Sequence, residues 1–565
     1  METATNPVIA IGLDAAEPSL LEKWMSQGYL KNLSRLREQG IYGRLDNFRD
    51  SNVETAWTTF STGCPPQKTG YWAMMGLKDG TYETETRAAY DYQEYPPFFT
   101  FAKGKRVISF DVPQLRLNES VEGMQVGAWG AHSPQIPSGS IPESLFQDLI
   151  DKHGPHPGLH NDYAICLDVK GTMRVEERFL TGIERRSKIC QDLMQREPWD
   201  LFLTVFSETH GGGHIFWQLS QPDHPLYETL RAQISHDPLL AIYQAIDKAI
   251  GEILAAAPEN ARVIIFSAHG MGPATIDLPT FLYLPEFMYR YNFPGEYGLG
   301  YGEPDAGISP MVTEMEWNYW ERHLWGSKHD PNPVRRFLRK STPTRIFNLI
   351  EPWLDKTDKP DLISPFQLKR EGEKTVPWNP GQWYKPLWSQ MKAFAVPSFA
   401  EGYVRINLKG REPNGLVDPS EYHAVCDDIC EKLYRLKEPR TGIPMVTRIV
   451  RTRENPLDRD PKLPDADLIV VWQDEFASDV MESPDYGMFG PLPPYRSGSH
   501  RSKGFFMATG PDVPVGTDLT SGHVLDLAPT ILDWMGTSVP GHLDGKPLEV
   551  LQNQPVQTGA EVKLA

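Results

Sequence analysis

Two histidines, His210 and His214, stand four residues apart in a glycine-rich segment that spans residues 207–217. If this segment is helical, positions i and i+4 share one face and both imidazole rings can reach the same metal ion. If it is a loop, the three intervening glycines allow the backbone to fold tightly enough to bring the rings together. The spacing therefore predicts a metal site, and the alternative is a glycine-rich turn with two solvated histidines.

The neighbouring apolar runs indicate which elements would position such a site. Residues 199–206 form an apolar run before the two histidines, residues 8–13 form another that ends at Asp14, and residues 261–266 lead to His269. Each run is typical of a buried strand. Because open α/β sheets bind ligands outside the carboxyl ends of their strands, Asp14 is predicted to be a metal ligand, with capping of the next helix as the alternative.

Hydroxyl side chains are concentrated in residues 51–63, which are predicted to form a loop entering a short helix that ends at Gly63. Hydroxyls at the start of a helix are well placed to act as nucleophiles, and the backbone amides there stabilise developing negative charge. Plain helix capping is the alternative, but it accounts for only one of these hydroxyls.

Composition narrows the class of protein. The 565 residues are 40% apolar and 23% charged, as in globular proteins, and are enough for more than one domain. The formal net charge of −18 argues against non-specific binding to nucleic acid or to an anionic membrane. Five scattered cysteines do not suggest a disulfide framework, and the sequence shows neither a signal peptide nor an apolar run of membrane-spanning length. We therefore expect a cytoplasmic protein, with its oligomeric state left open.

Six segments, in this order along the chain, resemble the alkaline phosphatase superfamily and, within it, the type I phosphodiesterase/nucleotide pyrophosphatase branch. They are residues 11–16, 57–63, 207–217, 266–271, 498–501 and 526–530, and the middle segment 402–412 is also similar to this branch. The resemblance implies an α/β fold with a doubly wound, mostly parallel sheet and helices on both of its faces.

The resemblance also implies a set of site residues, because this family usually carries two divalent metals, most often zinc. One metal site would be formed by His210, His214 and His500. The other would be formed by Asp14, the hydroxyl nucleophile, Ala268 and His269. The nucleophile that the resemblance implies is Thr55, with Ser51 as the next candidate.

Two departures from the family pattern change what this site can hold. His210 and Ala268 both stand where the family has aspartate, and Thr69 stands where a histidine is often found. Two divalent ions lie about 3.5–4 Å apart in such sites and need carboxylates to offset their charge, so the loss of two carboxylates favours one ion over two. Three neutral imidazoles suit zinc, and also iron, copper or nickel.

The rhythm of strands and helices is lost in the middle of the chain, which is rich in Trp, Tyr and Pro. We predict an alkaline phosphatase-like core in residues 1–284, an inserted cap in 285–465, the rest of the core in 466–552 and a tail in 553–565. An aromatic cap over the site suggests a small-molecule substrate, anionic and carrying an aromatic or apolar group.

The expected function is a metal-dependent hydrolase that cleaves a phosphodiester, phosphonate or sulfate ester of a small molecule. Thr55 would attack in line, the histidine-bound metal would stabilise the oxyanion, and water would release the product. Asp14 and His269 would activate Thr55 through a weaker second metal or through hydrogen bonds.

Two alternatives stay open on the sequence. The first is a repurposed mononuclear metalloenzyme on the same fold, a lyase, transferase or redox enzyme, with its metal on the three histidines and with Glu54 or Glu208 as acid or base. The second is a non-catalytic binding protein. A decaying site would have little reason to place another good ligand at position 210, which argues against the second alternative.

Overall fold

The computed structural model describes residues 6–89, 94–130, 137–158, 168–299, 332–343, 380–399 and 401–551, together with single positions between 307 and 350. The predicted tail, residues 553–565, lies outside the described residues, as does much of the predicted cap. Among the helices that are described, none is both long enough and apolar enough to span a membrane.

The described strands are short and buried for the most part. In chain order they are β1 (Val8–Leu13), β2 (Ile41–Leu45), β3 (Met75–Leu77), β4 (Thr84–Thr86), β5 (Arg106–Phe110), β6 (Glu122–Gly127), β7 (Gly139–Ile141), β8 (Leu201–Phe206), β9 (Arg262–Ser267), β10 (Gly270–Pro273), β11 (Ala393–Val396), β12 (Gly402–Ile406), β13 (Val446–Arg451), β14 (Leu468–Trp472), β15 (Met481–Ser483), β16 (Gly487–Phe489), β17 (Gly498–Arg501), β18 (Gly504–Thr509) and β19 (Thr517–Asp518).

The described α-helices are α1 (Pro18–Ser26), α2 (Lys31–Glu38), α3 (Asn52–Thr62), α4 (Pro66–Thr69), α5 (Leu145–His153), α6 (Val169–Arg196), α7 (Glu208–Ser220), α8 (Tyr227–Arg231), α9 (Pro238–Ala255), α10 (Leu284–Asn292), α11 (Pro333–Ser341), α12 (Tyr422–Tyr434) and α13 (Leu527–Trp534).

Nine of the described strands form one sheet, in the order β19-β2-β18-β9-β1-β8-β5-β6-β7. The five strands from β9 to β6 are mutually parallel, and the antiparallel pairings lie towards the two edges. β1 is at the centre and is buried along its whole length. Its continuous apolar sequence is what a strand covered on both faces requires.

Helices cover both faces of this sheet. Alternate residues of β1 point to opposite sides, so that Ile9 and Ile11 join one hydrophobic cluster with residues of α1, α2, α6, α7 and α9. Val8 and Ala10 join a second cluster with residues of α3 and α13. The prediction of a doubly wound, mostly parallel α/β sheet is therefore confirmed.

A second, smaller sheet has the order β11-β12-β14-β13 and is antiparallel throughout. It shares a separate hydrophobic core with α10, α12 and buried aromatic residues such as Trp383 and Trp388. The sequence boundary at residue 466 places β14 in the main core, whereas the structure pairs β14 with β12 and β13 in the smaller sheet. An apolar run predicts a strand but carries no information about which strands it pairs with. The chain returns to the main sheet only at β18.

Candidate metal centre

Four segments converge at the carboxyl ends of the central parallel strands. Asp14 follows β1, α7 follows β8 after a single residue, and His269 follows β9 by two residues. The fourth segment, β17, pairs with β10 just beyond His269 and carries His500 opposite Met271. Because neighbouring parallel strands end at the same edge of a sheet, residues distant in sequence are brought together here.

The glycine-rich segment forms the helix α7. Of the two conformations that the sequence allowed, helix and loop, the structure has the helix. A Cβ atom added to Gly211, Gly212 or Gly213 would lie 2.6–2.8 Å from Phe179 on α6, Ile242 on α9 and Met271 on β10, respectively. The three glycines therefore allow the helix to pack closely against three neighbours. Helical spacing then puts His210 and His214 on one face.

The rings of His210 and His214 are oriented by acceptors on their Nδ1 atoms. Nδ1 of His214 lies 2.7 Å from the carbonyl oxygen of Gly498, and Nδ1 of His210 lies 3.0 Å from Oδ2 of Asp14. Carbonyl and carboxylate oxygens only accept, so both Nδ1 atoms carry the hydrogen. In its neutral form each ring then has its lone pair on Nε2, and the two Nε2 atoms lie 2.9 Å apart.

His500 completes the group. Its ring centroid lies 4.7 Å from those of both His210 and His214, and 4.9 Å from that of His269. Burial, with a smaller contribution from the neighbouring histidines, holds the pKa of His500 well below its ordinary value of 6.5. Burial likewise lowers the pKa of His269 to about 4. Both rings are therefore neutral near pH 7, as metal ligands must be.

The donor set fits a single transition-metal ion. The ligand nitrogens of His210, His214 and His500 all lie within 4.8 Å of one another, and they form the one such group found among the described residues. Two facing lone pairs 2.9 Å apart repel each other unless a proton or a cation lies between them. Three imidazoles are a common zinc ligand set that leaves further coordination positions for water or substrate.

Asp14 and His269, which the sequence also predicts as metal ligands, stand beside this group. Oδ1 of Asp14 accepts a hydrogen bond of 2.8 Å from the indole nitrogen of Trp57, while Oδ2 faces His210. Burial acts to raise the pKa of Asp14, but His210, His269 and these hydrogen bonds outweigh it, so that the pKa is lowered and the carboxylate is charged. Nε2 of His269 lies 3.7 Å from Asp14, and neither ring nitrogen has a hydrogen-bond partner among the described residues.

The predicted nucleophiles lie on α3 and at its start. Thr55 is buried in the helix, and its hydroxyl donates a hydrogen bond to the carbonyl oxygen of Ser51. Ser51 precedes the helix, and its buried hydroxyl has no hydrogen-bond partner in the described part of the chain. Among the described residues, neither hydroxyl forms a hydrogen bond with a histidine of the group. The side chain of Glu54, a predicted acid or base, lies outside the described residues.

Glu208, the other predicted acid or base, is placed in a different environment from the one expected. Its carboxylate lies 3.0 Å from Nε2 of His156 and 3.7 Å from Nε of Arg186. Arg186 is in turn paired with Asp111 at 2.7 Å, and all four side chains are buried. Glu208 therefore faces α6 rather than the histidine group. Residues two positions apart on a helix, such as Glu208 and His210, point in different directions. Their closeness in sequence therefore does not bring them into one site.

Sequence reasoning missed Arg496 and Asp277. Nη1 of Arg496 lies 3.2 Å from Nε2 of His214, and the same guanidinium is bound by both carboxylate oxygens of Asp277. The two residues are 219 positions apart in sequence, so no local pattern links them. The one available signal is that Arg496 stands four residues before His500.

Two cavities flank the group. One has His500, Arg49, Arg501 and Trp472 in its lining. The other is lined by Arg496, by the carboxylates of Asp277 and Asp479, by His224 and by small or apolar side chains.

Comparisons with known proteins place the chain in a family. The family model of type I phosphodiesterase / nucleotide pyrophosphatase matches residues 8–320. A crystal structure of phosphonoacetate hydrolase from Sinorhizobium meliloti 1021 in complex with phosphonoformate is 13% identical, with a TM-score of 0.47, over 94% of this chain and 96% of that chain. A second structure of that hydrolase, in complex with phosphonoacetate, is also 13% identical, with a TM-score of 0.46 over the same shares. No curated protein matches the chain in sequence.

Proposed function

The chain belongs to the type I phosphodiesterase / nucleotide pyrophosphatase family, and on that premise we propose that it is a hydrolase dependent on a single metal ion. Zinc is the first metal to test. The substrate of the proposed reaction is a phosphodiester, phosphonate or sulfate ester of a small molecule. The family model covers residues 8–320 and so includes Asp14, His210, His214 and His269. The motif around His500 lies beyond it.

The observation that carries the proposal is the 2.9 Å approach of the Nε2 atoms of His210 and His214 beside His500. Their Nδ1 hydrogens are bound by Asp14 and by the carbonyl oxygen of Gly498, so both Nε2 lone pairs are directed at a common point. Second-sphere acceptors of this kind fix the ring orientation of metal-bound histidines and raise their basicity. Zinc, iron and other transition metals all accept such ligands.

Each residue of the site has a defined task in this proposal. His210, His214 and His500 would hold the ion, which when bound polarises an oxygen of the scissile group or lowers the pKa of a bound water. Asp14 orients His210 and is itself fixed by Trp57. His269, neutral and with both nitrogens unpartnered among the described residues, can accept a proton.

The hydroxyl nucleophile is assigned to the beginning of α3. Thr55 is the first candidate. Its oxygen would bond to the phosphorus or sulfur atom as the bond to the leaving group breaks, its proton would pass to His269, and water would then hydrolyse the resulting ester. Ser51 is the second candidate, because its hydroxyl is buried without a partner in the described residues. Substitution of each hydroxyl in turn distinguishes the two candidates.

A repurposed mononuclear enzyme, a lyase, transferase or redox enzyme, is the second candidate function. It is favoured by the absence of a carboxylate at Ala268 and by the engagement of both oxygens of Asp14 with His210 and Trp57. These features leave a single neutral ligand set where two-metal hydrolases have several carboxylates.

The first test is metal content by elemental analysis, on protein purified without chelator or added metal, followed by assay with aryl phosphodiesters, phosphonates and sulfate esters. We expect about one equivalent of metal per chain and turnover of one of these esters. His214→Ala should abolish both, whereas His423→Ala, which removes an exposed histidine on α12, should change neither. One metal without turnover of any ester would instead support the second candidate.

A further inference from the structure

Arg496 is held rigidly next to the histidine group. Its Nε and Nη2 atoms donate to the two carboxylate oxygens of Asp277 at 2.5 and 2.8 Å. A guanidinium bound in this bidentate manner has its plane and direction fixed. The side chains of Arg496 and Asp277 are only 12% and 5% exposed, so the pair is largely shielded from water.

The third nitrogen of this guanidinium is directed at the metal-binding atoms. Nη1 lies 3.2 Å from Nε2 of His214, the atom whose lone pair is needed for the metal. Arginine keeps its charge at every physiological pH. With an ion on the three histidines, two cations would therefore stand side by side, near the carboxylates of Asp277 and Asp14. An anionic group between the ion and Arg496 would be attracted by both cations.

A small cavity adjoins this pair. Its wall contains Arg496, the carboxylates of Asp277 and Asp479, and His224. The apolar lining residues are Leu226, Ala274, Leu278, Ala477 and Pro494. Arg496 is therefore the guanidinium that borders both this cavity and the histidine group.

Arg501, three residues before the main-sheet strand β18, differs from Arg496 in what it binds. Its guanidinium donates to the carbonyl oxygen of Pro273, which ties β17 to β10, and to the carbonyl oxygen of His500 on its own strand. Those bonds give Arg501 a structural task. Arg496 is instead positioned by a carboxylate and faces the histidines, which is the arrangement expected of a ligand-binding group.

We propose that Arg496, aimed by Asp277, is the anion-binding residue of the site and takes an oxygen of the substrate's phosphoryl, phosphonyl or sulfuryl group beside the metal position. This inference rests on the proposed function and deepens it. It assigns the substrate a tetrahedral oxyanion that is bound partly by a guanidinium.

Isothermal calorimetry with inorganic phosphate tests the proposal on full-length protein, in both the metal-loaded and the metal-free state. We expect Arg496→Ala to weaken phosphate binding at least tenfold in the metal-loaded protein without lowering its metal content. Asp277→Asn, which keeps the size of the side chain but not its charge, should weaken binding less. Arg44→Ala removes a surface arginine paired with Glu22 and serves as the matched control. Arg496→Lys keeps a positive charge and substitutes for the alanine variant if that variant fails to fold.

The outcomes separate the inference from the proposed function. If wild-type protein binds phosphate and turns over an ester but Arg496→Ala and Arg496→Lys bind phosphate equally well, the inference is wrong and the proposed function stands. If wild-type protein loaded with metal binds no phosphate and cleaves no ester, both are wrong. If Arg496→Ala instead binds metal more tightly with phosphate affinity unchanged, Arg496 competes with the metal and the anion-binding role is rejected.

Discussion

Nδ1 of His210 lies 3.0 Å from Oδ2 of Asp14, so the residue that follows β1 orients a histidine on α7, the helix that follows the neighbouring strand β8. The other carboxylate oxygen is bound by Trp57 at 2.8 Å. Asp14 is thus fixed on both sides by hydrogen bonds from the protein. This arrangement favours an orienting role for Asp14, whereas the family resemblance implies direct metal ligation.

Asp14→Asn separates the two roles. Asparagine keeps the size of the side chain but removes the charge that polarises His210. If Asp14 acts through His210, metal affinity should fall about 10–100-fold, as measured by competition with a chelator. Asp427→Asn, at an exposed carboxylate paired with Arg451, is the control and should have no effect. A loss of metal as complete as that in His214→Ala would show that Asp14 is a direct ligand.

Gly498 on β17 lies close to α7. A Cβ atom at this position would lie 2.1 Å from the carbonyl oxygen of Gly213, a backbone atom that cannot rotate away. Gly498→Ala should therefore move β17, weaken the hydrogen bond to His214 and displace His500. We expect a loss of about 1–3 kcal/mol in the free energy of unfolding together with reduced metal content.

The control for this prediction is Gly139→Ala, because a Cβ atom there would have open space around it. Denaturant unfolding and elemental analysis of both variants check the prediction. If Gly498→Ala retains full stability and a full complement of metal, the close approach of β17 to α7 is not needed to position the histidines.

The parts of this molecule that were predictable from sequence are those encoded by local pattern. The apolar runs before Asp14, His210 and His269 predicted the central strands, and the motif order predicted the family. The pairing of β14 with β12, and the pairing of Arg496 with Asp277, depend on contacts between distant segments. Residue type and spacing carry no direct signal for such contacts.

Glu208 illustrates the same limit and leads to a pH-dependent prediction. Burial acts to raise its pKa, but Arg186 and His156 outweigh that effect and hold the pKa below the ordinary 4.5. Because the pKa of this carboxyl is lower in the folded state than in the unfolded state, the charged form stabilises the fold at neutral pH. This stabilisation begins to decrease below about pH 4.5 and is lost once the pH has fallen through the pKa of the folded state. Acid should therefore destabilise the wild-type protein in that range.

Glu208→Gln should lower the free energy of unfolding at pH 7 by about 3 kcal/mol, because it leaves buried Arg186 with less compensating charge. The difference from wild type should shrink in acid, where Glu208 is protonated. Unfolding curves from pH 7 to pH 3 check this, with Glu184→Gln, at an exposed carboxylate paired with Lys188, as the control. Unchanged stability with loss of turnover would instead support the acid–base role predicted from sequence.

The nucleophile can be identified because its two candidates differ in their bonding. The hydroxyl of Thr55 is bound to the carbonyl oxygen of Ser51, so Thr55→Val removes the hydroxyl and keeps the shape of the side chain without touching the histidines. If Thr55 is the nucleophile, ester hydrolysis should fall at least about 1,000-fold with metal content unchanged. Ser51→Ala should then retain turnover.

The reverse pattern, loss in Ser51→Ala and retention in Thr55→Val, would assign the nucleophile to Ser51. Full activity in both variants would exclude a covalent intermediate on either hydroxyl and leave direct attack by water as the mechanism to test by incorporation of ¹⁸O from solvent.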